Sequence, residues 1–223
     1  MPTVLVTGAN RGIGLALAQA YASRGDAVIA ACRASSPELE ASGARVEAGV
    51  DVTDDASLRA LSARLGDTAI DVLVCNAGVL GDERFGALDA AAFDGMRRQY
   101  EVNALGPLRT IEALAGHLRA GAKVGIVTSR MGSMADNGSG GHYGYRASKA
   151  AVNAIGVSLA HELAPRGVSV FLLHPGYVVT DMTGGRGEVV PAQSAAGLIE
   201  RLDSLGPGQS GTFWHANGTP LPW

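Results

Sequence analysis

Tyr145 and Lys149 stand four residues apart in the stretch YRASK, inside a segment with helical patterning. At about 100° per residue, that spacing leaves them about 40° apart on one helical face, within reach of each other. An unperturbed phenol titrates at about 10, too high for a base at neutral pH, and a neighbouring ammonium stabilises the phenolate and lowers that value. Tyr143 lies six residues from Lys149, which turns it toward the opposite face. The pair Tyr145 and Lys149 is therefore expected to move a proton. Upstream, TSRMG (128–132) closes an apolar run and places Ser129 at the end of a predicted strand, with Ser133 just beyond it. Asn103, in YEVNALG, is a polar residue inside a helical pattern.

A second constellation lies near the start, in TGANRGIG (7–14), between a strand-like run and a helical one. Gly8, Gly12 and Gly14 permit a tight turn, close approach of backbone to a pyrophosphate and close helix packing, with Asn10, Arg11 and Ile13 between them. A site for NAD needs a carboxylate at the end of the second strand to meet the ribose 2′-hydroxyl. The sequence has AACRAS there, with Arg33 and no acid, and Arg11 supplies a second cation nearby. A guanidinium fork matches a phosphate bidentately, so the expected cofactor is NADP(H).

The elements that must position these residues alternate. Strand-like runs fall at 3–7, 27–32, 45–50, 71–75, 123–129, 168–174 and 211–216. Between them lie helical patterns at 13–25, 35–42, 53–66, 89–104, 107–120, 143–164 and 191–206, with Pro107 opening the fifth. Near-continuous Val/Ile/Leu runs alternating with helices signal an α/β fold with a mainly parallel sheet covered on both faces. No linker or repeat interrupts the pattern, so a single doubly wound domain over residues 1–223 is expected.

The glycine spacing after Thr7 and the order of the remaining motifs resemble the short-chain dehydrogenase/reductase family over essentially the whole chain. That resemblance implies a Rossmann fold, a seven-stranded sheet and reduction of a ketone or aldehyde (or oxidation of the alcohol) by hydride transfer. By resemblance, Asp51 and Val52 meet the adenine, Asn76, Ala77 and Gly78 lie beside the adenosine ribose, and Pro175, Gly176, Val178 and Thr180 flank the nicotinamide. It also implies that Tyr145 gives or takes the proton, that Lys149 binds the nicotinamide ribose, and that Asn103 helps hold a water. The family's serine ends the fifth strand, which favours Ser129. The family usually has about a dozen residues between that serine and the tyrosine, whereas Ser129 precedes Tyr145 by 16 and Ser133 by 12. Three extra loop residues leave Ser129 and Ser133 both open. SRMGSMADN, YRASKAAVN and HANGTPLPW most resemble the C-factor-like and sniffer-like carbonyl reductases, whose signalling members supply the alternative of a nucleotide-binding regulator with little turnover. Relatives pair through their long central helices, implying a homodimer or homotetramer.

Composition excludes other classes. A net charge of −3, with no basic runs, gives no footprint for nucleic acid or an anionic membrane surface. Hydrophobic residues at 47% and charged ones at 17% fit a globular chain and not a disordered one. No apolar run approaches the roughly 20 residues of a membrane span, and no signal peptide is visible. Cys32 and Cys75 are expected as buried thiols in a reducing, cytoplasmic setting. The five histidines show no metal-ligand spacing, so no metal is expected.

Overall fold

Seven parallel strands form one sheet in the computed structural model, which describes residues 1–223. The strands are β1 (Thr3–Thr7), β2 (Ala27–Ala31), β3 (Arg45–Glu47), β4 (Ile70–Cys75), β5 (Leu118–Val127), β6 (Ser169–His174) and β7 (Phe213–His215). Their order across the sheet is β3-β2-β1-β4-β5-β6-β7. Order reverses between β1 and β4, where Val4, Leu5 and Val6 pair with Val72, Leu73 and Val74. A crevice opens at such a switch point because the connections leave the two strand ends in opposite directions.

The helices are α1 (Gly12–Ser23), α2 (Pro37–Glu40), α3 (Asp55–Leu65), α4 (Ala90–Tyr100), α5 (Gly106–Leu114), α6 (Tyr143–Leu163) and α7 (Pro191–Ser204). On one face of the sheet Leu17, Tyr21, Leu198 and Leu202 of α1 and α7 pack against Val4, Val6 and Phe171. On the other face Leu58, Leu61, Ile111, Leu114, Val152 and Leu159 of α3, α5 and α6 cover Leu5, Leu73 and Ile126. Burial on both faces is why the strands read as continuous apolar runs.

Several expectations are corrected. The helices expected at 89–104 and 107–120 form one continuous rod, because a π-helical stretch, Glu101–Leu105, joins α4 to α5. Pro107 has no N–H for the carbonyl of Asn103 four residues back, and the wider turn absorbs that loss, with Gly106 N–H reaching Glu101 O. The rod also stops at Leu114 and not at 120, since buried Leu118 turns to pair with Ile70 and opens β5 before a register shift. The strand then ends at Val127, leaving Thr128 and Ser129 just past it. Strand β3 ends at Glu47, short of the expected 50.

Candidate active site

Thr7 ties the ends of β1 and β4 together. Its hydroxyl accepts hydrogen bonds from Asn76 N–H (3.1 Å) and Ala77 N–H (3.3 Å), and Asn76 Nδ2 donates to Thr7 O at 3.0 Å. The Asn-Ala-Gly motif therefore acts as a strap across the switch point. Behind it, Gly14 is buried, and a Cβ there would lie 2.2 Å from Gly8 O and 2.5 Å from Asn76 Nδ2. Gly8 itself has φ +66° and presses against Ala77.

Helix α1 begins at the crevice with no capping side chain on its first N–H groups and no acid in its first turn. Unsatisfied donors at a helix start, next to a tight glycine turn, fit a pyrophosphate. Gly8, Asn10, Arg11, Gly12 and Ile13 line the cleft, whereas Gly14 does not reach it and serves packing.

The cleft, about 1210 Å³, runs from Arg33 and Asp51 past Asn76, Ala77 and Gly78 to Ser129, Tyr145 and Lys149. Pro175, Gly176, Val178 and Thr180 form its other wall, and Val52 lies at its floor. That volume exceeds the roughly 1,000 Å³ upper range of a single small-molecule pocket, leaving room for a dinucleotide and a second molecule.

At the β2 end, Arg33 is exposed and makes no ion pair, while Arg11 Nη1 lies 3.2 Å from Asp181 Oδ2 across the cleft mouth. Arg98, on α4, lines the same end and was not singled out from sequence, because nothing local in MRRQY marks it. Asp51 Oδ1 accepts from Thr53 N–H at 2.9 Å and from its hydroxyl at 2.7 Å. The Thr53 backbone N–H, aided by its hydroxyl, Arg33 and Arg98, holds the Asp51 carboxyl below its ordinary range against the opposing cost of burial.

At the other end, Ser129 caps a short turn, Arg130–Gly132, its Oγ accepting from Met131 N–H at 3.1 Å. Gly132 lets this turn lie on α6, since a Cβ there would sit 2.7 Å from the carbonyl carbon of Lys149. Ser133 is buried, its Oγ accepts from Asp136 N–H at 3.1 Å, and it does not line the cleft. The start of α6 is clamped from outside. Gly144 N–H donates to Glu83 Oε2 at 3.2 Å, Gln99 Nε2 donates to Glu83 Oε1, and His142 adopts φ 49° to let the chain enter the helix.

Tyr145 is half-buried and lines the cleft. Burial pushes the phenol above its ordinary value, and the neighbouring Ser129 hydroxyl pulls it partly back. The expected lowering by Lys149 is corrected here. Lys149 Nζ is buried, 5.8 Å from the Tyr145 ring centroid, and donates to Val127 O at 2.8 Å, and the phenol's displacement is set by burial and Ser129 instead. Burial likewise lowers Lys149, to about 8.

Asn103 is fully buried and lies behind the cleft wall. Its Oδ1 accepts from Val79 N–H at 2.8 Å, and its Nδ2 donates to Val79 O (2.8 Å) and Ser148 Oγ (3.0 Å). Its side chain thus fixes the strap beyond Gly78. Tyr143 and Met134 are exposed and do not line the cleft, while Met131, Tyr177 and Met182 do.

A family profile described as short chain dehydrogenase matches residues 2–190. The chain belongs to the short-chain dehydrogenase family. Among curated relatives it is 50% identical, over 100% of both chains, to a protein of Rhodococcus sp. (strain AD45) named 1-hydroxy-2-glutathionyl-2-methyl-3-butene dehydrogenase. It is 44% identical to the C-signal protein of Myxococcus xanthus, over 74% of this chain and 100% of that one. A carbonyl reductase from Pseudomonas aeruginosa PAO1, solved in complex with NADP, superposes with TM-score 0.87 at 34% identity, covering 100% of both. As in this family generally, the activity class is oxidoreductase. No helix is long and apolar enough to cross a membrane, and no group of His, Cys, Asp and Glu could hold a metal ion.

Proposed function

We propose that this chain is an NADP(H)-dependent oxidoreductase that interconverts a carbonyl and an alcohol, with Tyr145 as proton donor and acceptor. One observation carries it: Ser129, Tyr145 and Lys149 line a single cleft that starts at a helix N-terminus without a capping side chain. When bound, the nicotinamide supplies or receives the hydride.

Ser129 Oγ–H donates a hydrogen bond to the substrate oxygen and polarises it, while Tyr145 O–H gives that oxygen its proton. A phenol held above its ordinary value keeps its proton at neutral pH, which suits the reductive direction. Lys149, with its pKa near 8, is mostly charged at neutral pH and able to exchange a proton. It also holds the nicotinamide ribose. Asn103, in the π-helical stretch behind the cleft wall, helps hold a water that resupplies the proton.

Gly8, Asn10, Gly12 and Ile13 hold the pyrophosphate, Asp51 and Val52 the adenine, Asn76, Ala77 and Gly78 the adenosine ribose. Pro175, Gly176, Val178 and Thr180 flank the nicotinamide. Arg33, with Arg98 and Arg11 lining the same cleft, supplies the guanidinium for the 2′-phosphate. The Pseudomonas aeruginosa neighbour solved with NADP supports that choice. The Rhodococcus relative, named for an alcohol on a glutathionyl carrier, supports a bulky polar substrate for this open cleft. A regulator without turnover would not need the serine, tyrosine and lysine that line this cleft. Exposed Phe93 and Tyr100 on α4 support pairing of two copies through the central helices.

The test is NADPH oxidation with a panel of ketones and aldehydes, comparing wild type with Tyr145→Phe. Turnover by wild type alone supports the proposal, and equal rates refute it.

A further inference from the structure

The cleft wall beyond Ser129 carries a charge that neither hydride nor proton transfer uses. Arg146, the residue after Tyr145 on α6, is half-buried and lines the cleft. Its guanidinium donates three hydrogen bonds, and all three acceptors are neutral. Nε reaches Gly140 O at 3.3 Å, Nη1 reaches Met131 O at 3.4 Å, and Nη2 reaches Ser139 Oγ at 2.8 Å. An arginine has five N–H donors, so two remain unspent and the charge has no carboxylate partner.

Its neighbour on this wall, Arg130, differs. Arg130 is paired with Asp136, and its field reaches into the cleft, where it helps lower His174 and His215. Of the two guanidiniums at this end, one has a carboxylate partner and one does not. The wall that Arg146 braces, residues 133–142, is also the stretch in which this chain is longer than the family's usual spacing between serine and tyrosine. Asp136 and Ser139, from that stretch, line the cleft.

The facing loop is short and fastened to itself. Val178 bridges Val189, and Thr183 Oγ1 donates to Val178 O at 2.9 Å, leaving Tyr177 and Met182 toward the cleft. That loop also brings Asp181, paired with Arg11, and Glu188 to the cleft, whereas on the opposite wall Asp136 is taken by Arg130 and Arg146 keeps its charge unpaired.

We propose that Arg146, oriented by the 133–142 loop, forms a subsite for a carboxylate carried by the substrate at a distance from the reacting carbon. The substrate class is then an anionic alcohol or carbonyl compound, which presupposes the oxidoreductase function proposed above. A guanidinium fork pairs a carboxylate with two parallel N–H bonds, and its fixed orientation discriminates by distance as well as charge.

The test uses ω-oxo carboxylic acids of four to eight carbons, each beside its methyl ester, with NADPH oxidation as readout. Wild type is expected to favour the acid by about 10- to 100-fold in kcat/KM at one chain length, through KM, as a charge-assisted pair would give. Arg146→Gln should bring the acid-to-ester ratio close to one, and Arg146→Lys should recover part of it. Wild type using acid and ester equally at every length overturns the subsite, whether or not Arg146→Gln folds. So does a ratio unchanged in Arg146→Gln while both rates fall, which is the signature of a mere loop strut. Ester turnover by wild type, lost in Tyr145→Phe, keeps the oxidoreductase function standing if the subsite falls. No turnover of either series removes both.

Discussion

The two ends of the cleft are built differently. Under β1 the wall is a strand-end turn in which backbone does most of the holding: the glycine turn from Gly8 to Gly14, running into α1. Beyond Ser129 the walls are side chains brought from afar. Glu83 holds the start of α6 from 61 residues away, and Val127 and Lys149 meet across 22. The first end needs small residues at fixed short spacings, while the second needs a completed tertiary structure to set charge and burial.

Four measurements sharpen or break that contrast. The largest effect is expected at the second end. Tyr145→Phe should lower kcat by about 10²- to 10⁴-fold, the range of a positioned acid or base, with cofactor affinity retained. Loss of cofactor binding instead would mean that the two ends are not separable.

Next is Lys149, whose burial lowers its pKa from 10.5 to about 8. Below pH 8 folded and unfolded chains are both protonated, and the cost of burying the charge is felt in full. As pH rises from about 8 to about 10.5 the unfolded chain keeps a proton that the folded one sheds, so stability rises, by roughly 3 kcal/mol in total. Urea unfolding of wild type and Lys149→Met across that window should show their difference climbing in favour of wild type. A flat difference would mean that Lys149 is not desolvated.

Gly14→Ala probes the first end. With a Cβ only 2.2 Å from Gly8 O, overpacking should cost about 1–3 kcal/mol and lower the thermal midpoint. An unshifted midpoint would break the account of the turn as a packed unit. The smallest effect is expected for Arg33→Ser, which should weaken NADP relative to NAD roughly tenfold by equilibrium titration. An unchanged ratio would pass the 2′-phosphate to Arg98 or Arg11.

What could be read from sequence follows the same contrast. The alternation of elements, the glycine turn and the Tyr145–Lys149 face depend on spacing within about a dozen residues, and all appear in the fold. The joined rod from α4 to α5 was not legible, because Pro107 suggests a break and only packing shows that a π-helical turn bridges it. The early start of β5 depends on Leu118 meeting Ile70 in another strand. The upward displacement of Tyr145 depends on burial around the phenol, which no local pattern encodes. Ser129 and Ser133 could not be separated by counting, and only the fold turns Ser129 to the cleft and Ser133 toward Asp136.

The pairing of β1 with β4 has a kinetic consequence. Val4 meets Val72, and the residues just before them, Thr3 and Asp71, are 68 positions apart, the widest separation between any two adjacent strands of the sheet. Closing a long loop loses chain entropy before the contacts it permits can repay it, and such pairings slow folding. The seam that makes room for a dinucleotide is thus the entropically costliest one to assemble. A ligand spanning it would act on refolding as well as on stability, by retaining chains in which the seam has already closed.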